Sequence, residues 1–372
     1  MRRILQLVVV LGVLAALATP AAFAADRMWV GFHDDPSFRW ANDRSERIQA
    51  SARVGSSVMR LLVHWNQVAP NRPARPTDPL DPAYNFGDVD EAVRTAREAN
   101  LEVLLTVYGT PGWANGRRGP SFMPNRVLDF KRFATAIASR YSGRHAEYPA
   151  VRFWSIWNEP NLQRFLRPQF DKRGKALAPR NYAALYAAAY EGIKRGNPAA
   201  KVAIGETSPR GSDNPRGKRR IHSPGGFAEA VAKANPRLKF DAWAHHPYPA
   251  SPNLRPEHKV RWPNVSLSSL PEFQKRLRKW FKRSRMDIWI TEYAHQTRPQ
   301  DRFGVSYRKQ AEYIRQSISI ARKQRFTKMF VWFVFRDDHG QGWESGIYTR
   351  AGGAKGSAPT AFARAARSLR PR

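Results

Sequence analysis

The 372-residue chain contains no cysteine. That excludes a disulfide scaffold, cysteine-ligated zinc or iron–sulfur centres, and any thiol nucleophile, because each needs a sulfur the chain lacks. Acids are scarce as well: 30 Asp and Glu stand against 63 Lys and Arg, a formal charge of +33. Neither GxGxxG nor GxxxxGK[ST] occurs, so the glycine loops that cradle phosphates in dinucleotide-binding and P-loop folds are missing. Past the N-terminus, no apolar run approaches the roughly 20 residues a membrane-spanning helix needs. What the chain does have is core-forming: 42% of it is apolar, with 12 Trp, 20 Phe and 12 Tyr. Such a composition belongs to a folded globular protein despite the charge.

Met1-Arg2-Arg3, the apolar run Ile4 to Ala18, and Ala22-Phe23-Ala24 have the order of a secretory signal peptide. Residues 1–24 are therefore expected to be removed, leaving 25–372 as one domain of a secreted protein without a stable membrane anchor. An uncleaved anchor is the alternative. Without cysteine, the exported domain must be held together by burial of its core alone.

The rest of the chain repeats one rhythm eight times: a β-rich run, a turn-rich stretch, an amphipathic helical stretch. The strand candidates are Met28 to His33, Val58 to Trp65, Leu101 to Tyr108, Val151 to Trp157, Lys201 to Glu206, Phe240 to His246, Asp287 to Glu292 and Lys328 to Phe335. Most are continuously apolar, as parallel strands buried on both faces must be. Between them, Val89, Ala92, Val93 and Ala96 form a helical stripe with Asp88 as the expected N-cap, and Ala311, Ile314, Ile318 and Ala321 form another. Asn181 to Arg195 reads as a helix stopped by Gly196-Asn197-Pro198. Alternating strands and helices imply a parallel sheet with right-handed crossovers, and eight units close a barrel. The expected fold is a single (β/α)8 TIM barrel. Two basic, Pro- and Gly-rich stretches, Pro209 to Gly226 and Ala250 to Pro263, read as loops after the fifth and sixth strands, on the face where barrel active sites are built.

In a chain so poor in acids, carboxylates that follow directly on apolar runs call for a reason, since burying an unpaired charge is costly. Glu159, in Trp157-Asn158-Glu159-Pro160-Asn161, closes the fourth strand, and Glu292, in Trp289-Ile290-Thr291-Glu292-Tyr293, closes the seventh, 133 residues later. Strands four and seven face each other across the mouth of an eight-stranded barrel. Two carboxyls flanking one bond are what glycoside hydrolysis needs, one to protonate the leaving oxygen and one to attack or to activate water.

These two runs, in this strand order, resemble glycoside hydrolase clan A, with a general look nearest its cellulase-like and β-xylosidase-like families. The resemblance covers nearly all of residues 25–372 in strand order and rests on motifs at the strand ends. It implies a glycoside hydrolase catalytic domain: a retaining O-glycosidase that cleaves a β-linked oligo- or polysaccharide by double displacement, without cofactor or metal. Carried over position by position, it makes Glu159 the acid/base and Glu292 the nucleophile. Arg60 and Tyr248 become the nucleophile's donors, Asn158 the partner of the sugar 2-hydroxyl, His246 the histidine of a His-x-Tyr pattern, and Trp332 the floor of the site. Trp65, Trp113 and Tyr108 are candidate sugar platforms. Each aromatic has a core alternative, Glu206 either contacts substrate or pairs with arginines, and Asp337 and Asp338 read as loop carboxylates. One departure stands out: strand three ends in Tyr108-Gly109, where many cellulase-like members carry a histidine.

No His-Glu-x-x-His spacing supports a metal beside His245 and His246. Basic clusters such as Arg216 to Arg220 and Lys275 to Arg283 are either solvated surface or a means of holding an anionic glycan or cell surface. Nucleic acid is not expected, because no binding motif accompanies the charge, and a monomer is expected. Two other readings stay open: a barrel that binds glycans or anionic surfaces without turnover, and a transglycosylase using the same residues.

Overall fold

In a computed structural model, which describes residues 27–299, 301–338 and 342–371, the chain forms a closed barrel of eight parallel strands in sequence order. They are β1 (Trp29–His33), β2 (Val58–His64), β3 (Glu102–Tyr108), β4 (Phe153–Ile156), β5 (Lys201–Thr207), β6 (Ala242–His245), β7 (Asp287–Tyr293) and β8 (Thr327–Phe333). β8 pairs with β1 from Trp29↔Met329 to His33↔Phe333, which closes the cylinder. One main helix follows each strand: α1 (Arg44–Arg53), α2 (Gly87–Glu98), α3 (Val127–Arg140), α4 (Ala178–Gly196), α5 (Pro224–Ala234), α6 (Leu270–Trp280), α7 (Tyr307–Lys323) and α8 (Ala358–Arg367). The expected (β/α)8 architecture is thus the observed one. The expected signal peptide, residues 1–24, lies outside the described residues. Among those residues no helix is long and apolar enough to cross a membrane.

The strands are apolar on both faces because each face meets a different core. Val58, Leu104, Phe153, Ala203, Ala242, Ala244, Trp289, Met329 and Val331 fill the inside of the barrel. Phe153 and Trp289 meet edge to face at 5.4 Å, and the small Ala203, Ala242 and Ala244 leave room for them. A second and larger set packs the outer strand face against the helices, including the stripes Val89, Ala92, Val93, Ala96 and Ala311, Ile314, Ile318, Ala321. β1 approaches β2 so closely that a Cβ on Gly31 would lie 1.6 Å from the Val58 carbonyl oxygen, so only glycine fits there.

The expected N-cap role of Asp88 is corrected. α2 begins at Gly87 after Phe86, and Asp88 sits inside the first turn, where its carboxylate pairs with Arg39 at 2.7 Å. A negative group there still faces the positive end of the helix. The loops after β5 and β6 rise over the C-terminal mouth of the barrel. They are joined to each other through Val265 N to Pro209 O and Gly211 N to the Asn264 side chain.

Candidate active site

The site is assembled where β2, β4, β5, β6 and β7 end. Arg60, central in β2 and fully buried, is its hub. Nε donates to Thr106 Oγ1 at 2.9 Å and Nη1 to Glu292 Oε1 at 2.5 Å, while Nη2 donates to Asn158 Oδ1 at 2.9 Å and to Glu206 Oε2 at 3.1 Å. Nη1 also lies 2.8 Å from His33 Nδ1. A guanidinium can only donate, so Nδ1 accepts and the ring proton of His33 sits on Nε2, facing Asp35 at 3.4 Å. Tyr248 supplies the second donor to Glu292, its hydroxyl lying 2.9 Å from Oε2.

Glu206 owes its aim to a break in the ladder. The register between β5 and β6 shifts between Ile204 and Thr207, with Gly205 at φ 108° and Glu206 at φ 47°. A Cβ on Gly205 would lie 2.6 Å from the Trp243 ring, so the irregularity requires glycine. It turns the Glu206 carboxylate inward, where Oε2 accepts from Arg60, from His246 Nε2 at 2.7 Å and from Thr291 Oγ1 at 2.8 Å. Of the two possibilities for Glu206, pairing is the observed one. It is fully buried, and its partner is Arg60 rather than the arginines of the loops.

Glu159 lies three residues beyond β4, at φ 39°, with its amide donating to the Glu206 carbonyl at 2.9 Å. The turn that carries it is held by Asn161, whose Nδ2 donates to Ser208 Oγ at 2.9 Å and whose Oδ1 accepts the Ser208 amide at 2.9 Å. Glu159 Oε1 meets His246 Nδ1 at 3.1 Å. An oxygen of Glu159, a nitrogen of His246 and an oxygen of Glu292 all lie within 4.8 Å of one another.

The two carboxyls sit in different fields. Burial pushes Glu159 up, with the neighbouring charge of Glu292 adding to it, and the contact with His246 offsets only part of this. Burial also pushes Glu292 up, but the His246 and Arg60 charges outweigh it and hold the group well below the ordinary carboxylate range. Burial would lower His246, yet Glu292, Glu159 and Glu206 together raise it to about 9. At neutral pH His246 is therefore an imidazolium donating from both nitrogens. It has no lone pair for a cation, and the one cluster of potential metal ligands among the described residues is already satisfied internally.

These groups open into a cleft of about 930 Å³ lined by His33, Asp35, Tyr108, Asn158, Phe333 and Trp343, among others. Of the expected site residues, Glu159, Glu292, Arg60, Asn158, His246 and Tyr248 come together here, and Tyr108 lines the wall. Three do not. Trp332 is fully buried on the outer face of β8, its Nε1 donating to Ser345 O at 2.8 Å. Alternation along the strand puts Phe333 into the cleft instead, with Trp343 5.7 Å away in an edge-to-face pair. Trp65 is buried among Trp113, Phe130 and Phe133. Trp113 covers that cluster, donating to Ala69 O under the guanidinium of Arg72. Neither lines the cleft: Trp65 is core and Trp113 is half-buried over it.

Sequence reasoning missed His33, Asp35, Phe333, Trp343 and Trp40, a cleft-lining indole that is 51% exposed. His33 was within reach, as it ends the first strand just as Glu292 closes the seventh. Trp40 ends a single helical turn after β1, Pro36–Trp40, and Trp343 lies on the loop after β8, and no periodicity reveals where either side chain goes.

Residues 23–334 match the family Cellulase (glycosyl hydrolase family 5). The chain belongs to that family. The family 5 chain is also 28% identical over 129 residues to a chloroplastic beta-glucosidase-like protein of Oryza sativa subsp. japonica, a stretch covering 33% of this chain and only 18% of that relative. Among solved structures it is similar to a family 39 glycoside hydrolase from the gut symbiont Bacteroides cellulosilyticus WH2, with a TM-score of 0.67 at 18% identity over 93% of this chain and 65% of that one. A glucosidase from Croceicoccus marinus superposes with a TM-score of 0.66 at 15% identity, covering 93% and 69%. A xylanase from Thermotoga petrophila RKU-1 in complex with xylobiose does so at 0.57 and 15% identity, covering 92% and 94%. At these identities the likeness is one of fold; it is the family 5 match that places the barrel among the clan A glycoside hydrolases.

Proposed function

We propose that this protein is a retaining glycosidase that cleaves a β-linked oligo- or polysaccharide by double displacement. The observation that carries the reading is the opposed pair: a raised Glu159 and a strongly depressed Glu292 with oxygens within 4.8 Å. Retaining enzymes hold their carboxyls about 5–5.5 Å apart, and inverting ones leave room for a water at about 6.5–9.5 Å. Glu292, ionised and aimed by Arg60 and Tyr248, attacks the anomeric carbon while protonated Glu159 gives its proton to the leaving oxygen. The glycosidic bond breaks and a glycosyl ester forms on Glu292. With the Glu292 charge spent, one of the causes that raise Glu159 is gone, and its carboxylate can act as the base. It takes a proton from water, whose oxygen attacks the anomeric carbon and releases Glu292. Asn158, held by Arg60, is placed for the sugar 2-hydroxyl.

The test is reducing-sugar release from a panel of neutral and acidic β-glycans by the wild-type protein and its Glu292→Gln variant. We expect a loss of at least about 10³-fold in kcat, and retained anomeric configuration by NMR in the wild type. Full activity in the variant overturns the nucleophile. Activity is expected to fall in acid as Glu292 is protonated and in alkali as Glu159 loses its proton. We further propose that the protein is exported with residues 1–24 removed, which rests on the N-terminal pattern; a secreted form beginning at Met1 overturns it.

A further inference from the structure

The cleft has two unlike halves. On the side of β1, β7 and β8 it is lined by Asp35, Glu292 and the aromatic Phe333 and Trp343. On the side of the loops after β4 and β5 it is lined by Arg164, Arg210 and Arg219, and Glu159 is the one carboxylate there. Resting on the double-displacement reading, this asymmetry has a direction. The acid must lie over the leaving oxygen, so the arginine-lined half holds the leaving sugar.

The three guanidiniums are uncompensated. The loops at 158–177, 208–223 and 246–266 carry thirteen Lys and Arg against four acids. Of the four, Glu159 belongs to the chemistry and Asp171 is taken by the amides of Arg173 and Lys175 at 2.8 Å. Asp213 is taken by Ser223 and His222, and Glu257 does not line the cleft. Among the described residues no carboxylate lies within ion-pair distance of Arg164, Arg210 or Arg219. Arg210 is nonetheless held in place. Its guanidinium donates to Ala250 O, and its carbonyl accepts from Ser208 Oγ at 3.3 Å. Arg219 is near enough to Arg210 for their like charges to oppose each other, and Arg164 lies over the Phe165 ring. Like charges brought together on a cleft wall without a counter-charge form a receptor for an anion.

We infer that the leaving-group side of the cleft takes a sugar bearing an oxyanion, the carboxylate of a uronic acid or a sulfate ester, with Arg210 and Arg219 as its ligands and Arg164 flanking it. The substrate is then an acidic β-glycan, cut on the non-reducing side of the charged sugar.

The test uses β-linked disaccharides, in both 1,3 and 1,4 linkage, whose reducing-side sugar is glucose, glucuronic acid or 6-sulfated glucose. Hydrolysis is followed with the wild-type protein and with the Arg210→Gln/Arg219→Gln variant, and binding by calorimetry with the Glu159→Gln protein. We expect a preference of about tenfold for at least one anionic disaccharide over the neutral one. It should shrink towards parity between about 0.05 and about 0.5 M salt and be largely lost in the double variant. The single variants Arg210→Gln and Arg219→Gln check for misfolding, and each should lose part of the preference. A glucuronide preference names the carboxylate as ligand, and a preference for the sulfated sugar names the ester. Equal handling of charged and neutral sugars, or a preference untouched by the double variant, overturns the inference, while hydrolysis of the neutral sugars leaves the hydrolase reading standing. Salt-sensitive anion binding without hydrolysis of any substrate does the reverse. Neither binding nor hydrolysis overturns both.

Discussion

At the scale of single residues the site is a chain of charges in which each group sets the next. Arg60 holds Glu292, Asn158 and Glu206, while His246 bridges Glu206 to Glu159. Glu206 touches neither the cleft nor, on this reading, the reacting atoms, yet it is the anion that both Arg60 and His246 lean on. Glu206→Gln removes that charge and keeps the shape. Without a neighbouring anion the proton on His246 is less favoured, so its pKa should fall from about 9 towards its ordinary value. An NMR titration of the ring checks this. With Arg60 less firmly aimed, kcat per folded molecule is expected to drop by about 10- to 100-fold with little change in KM, and the shifted His246 titration is the part that a mere loss of stability does not produce. The same proton has a consequence for folding. Because the folded state binds it more tightly than the unfolded chain, His246 contributes stability in full below its unfolded value of 6.5, and the contribution is lost as pH rises through about 9. The wild-type melting temperature should therefore decline across that window more steeply than that of His246→Asn.

At the scale of elements, one residue of displacement along a strand separates core from cleft. Trp332 and Phe333 are neighbours on β8, the first packed against the outer layer with Tyr293 at 6.1 Å and the second lining the cleft. Trp332→Ala should cost about 3–5 kcal/mol of stability and leave KM on the surviving folded protein nearly unchanged. Phe333→Ala should leave the melting temperature close to wild type and raise KM by up to about tenfold, the worth of one ring face. Thermal melts and initial rates on the two variants check both, and the reverse pattern would restore Trp332 as the floor. The irregularity in β5 works similarly, since one strained turn at Gly205 and Glu206 brings an acid inward that regular alternation would not aim there.

At the scale of the whole molecule, a barrel with a net charge of +33 works against itself. Many of its cations are paired on the surface, as in Arg276 with Glu272 and Arg97 with Glu102, but 63 cannot be matched by 30. Salt should therefore stabilise this protein: raising sodium chloride from about 20 to about 300 mM is expected to lift the melting temperature by a few degrees through screening. A flat or falling melting curve counts against self-repulsion as a net cost. The same surplus, gathered on the loops after β4 and β5, gives the cleft its basic half.

The sequence by itself determined the barrel, the placing of Glu159 and Glu292 at the ends of facing strands, and the loops that wall the cleft. Each follows from local information: continuous apolar runs, helical stripes and turn residues repeat eight times, and a strand-end acid in an acid-poor chain stands out. The tertiary structure decided what depends on direction and on distance between distant segments. The side of β8 that faces the cleft turns on a single step of alternation, which two adjacent aromatics do not reveal. The burial of Trp65 depends on α3 bringing Phe130 and Phe133 against it. The pairing of Glu206 with Arg60 joins residues 146 positions apart, and the opposite shifts of the two glutamates arise only once burial and the charges of Arg60 and His246 act on them in one shared space.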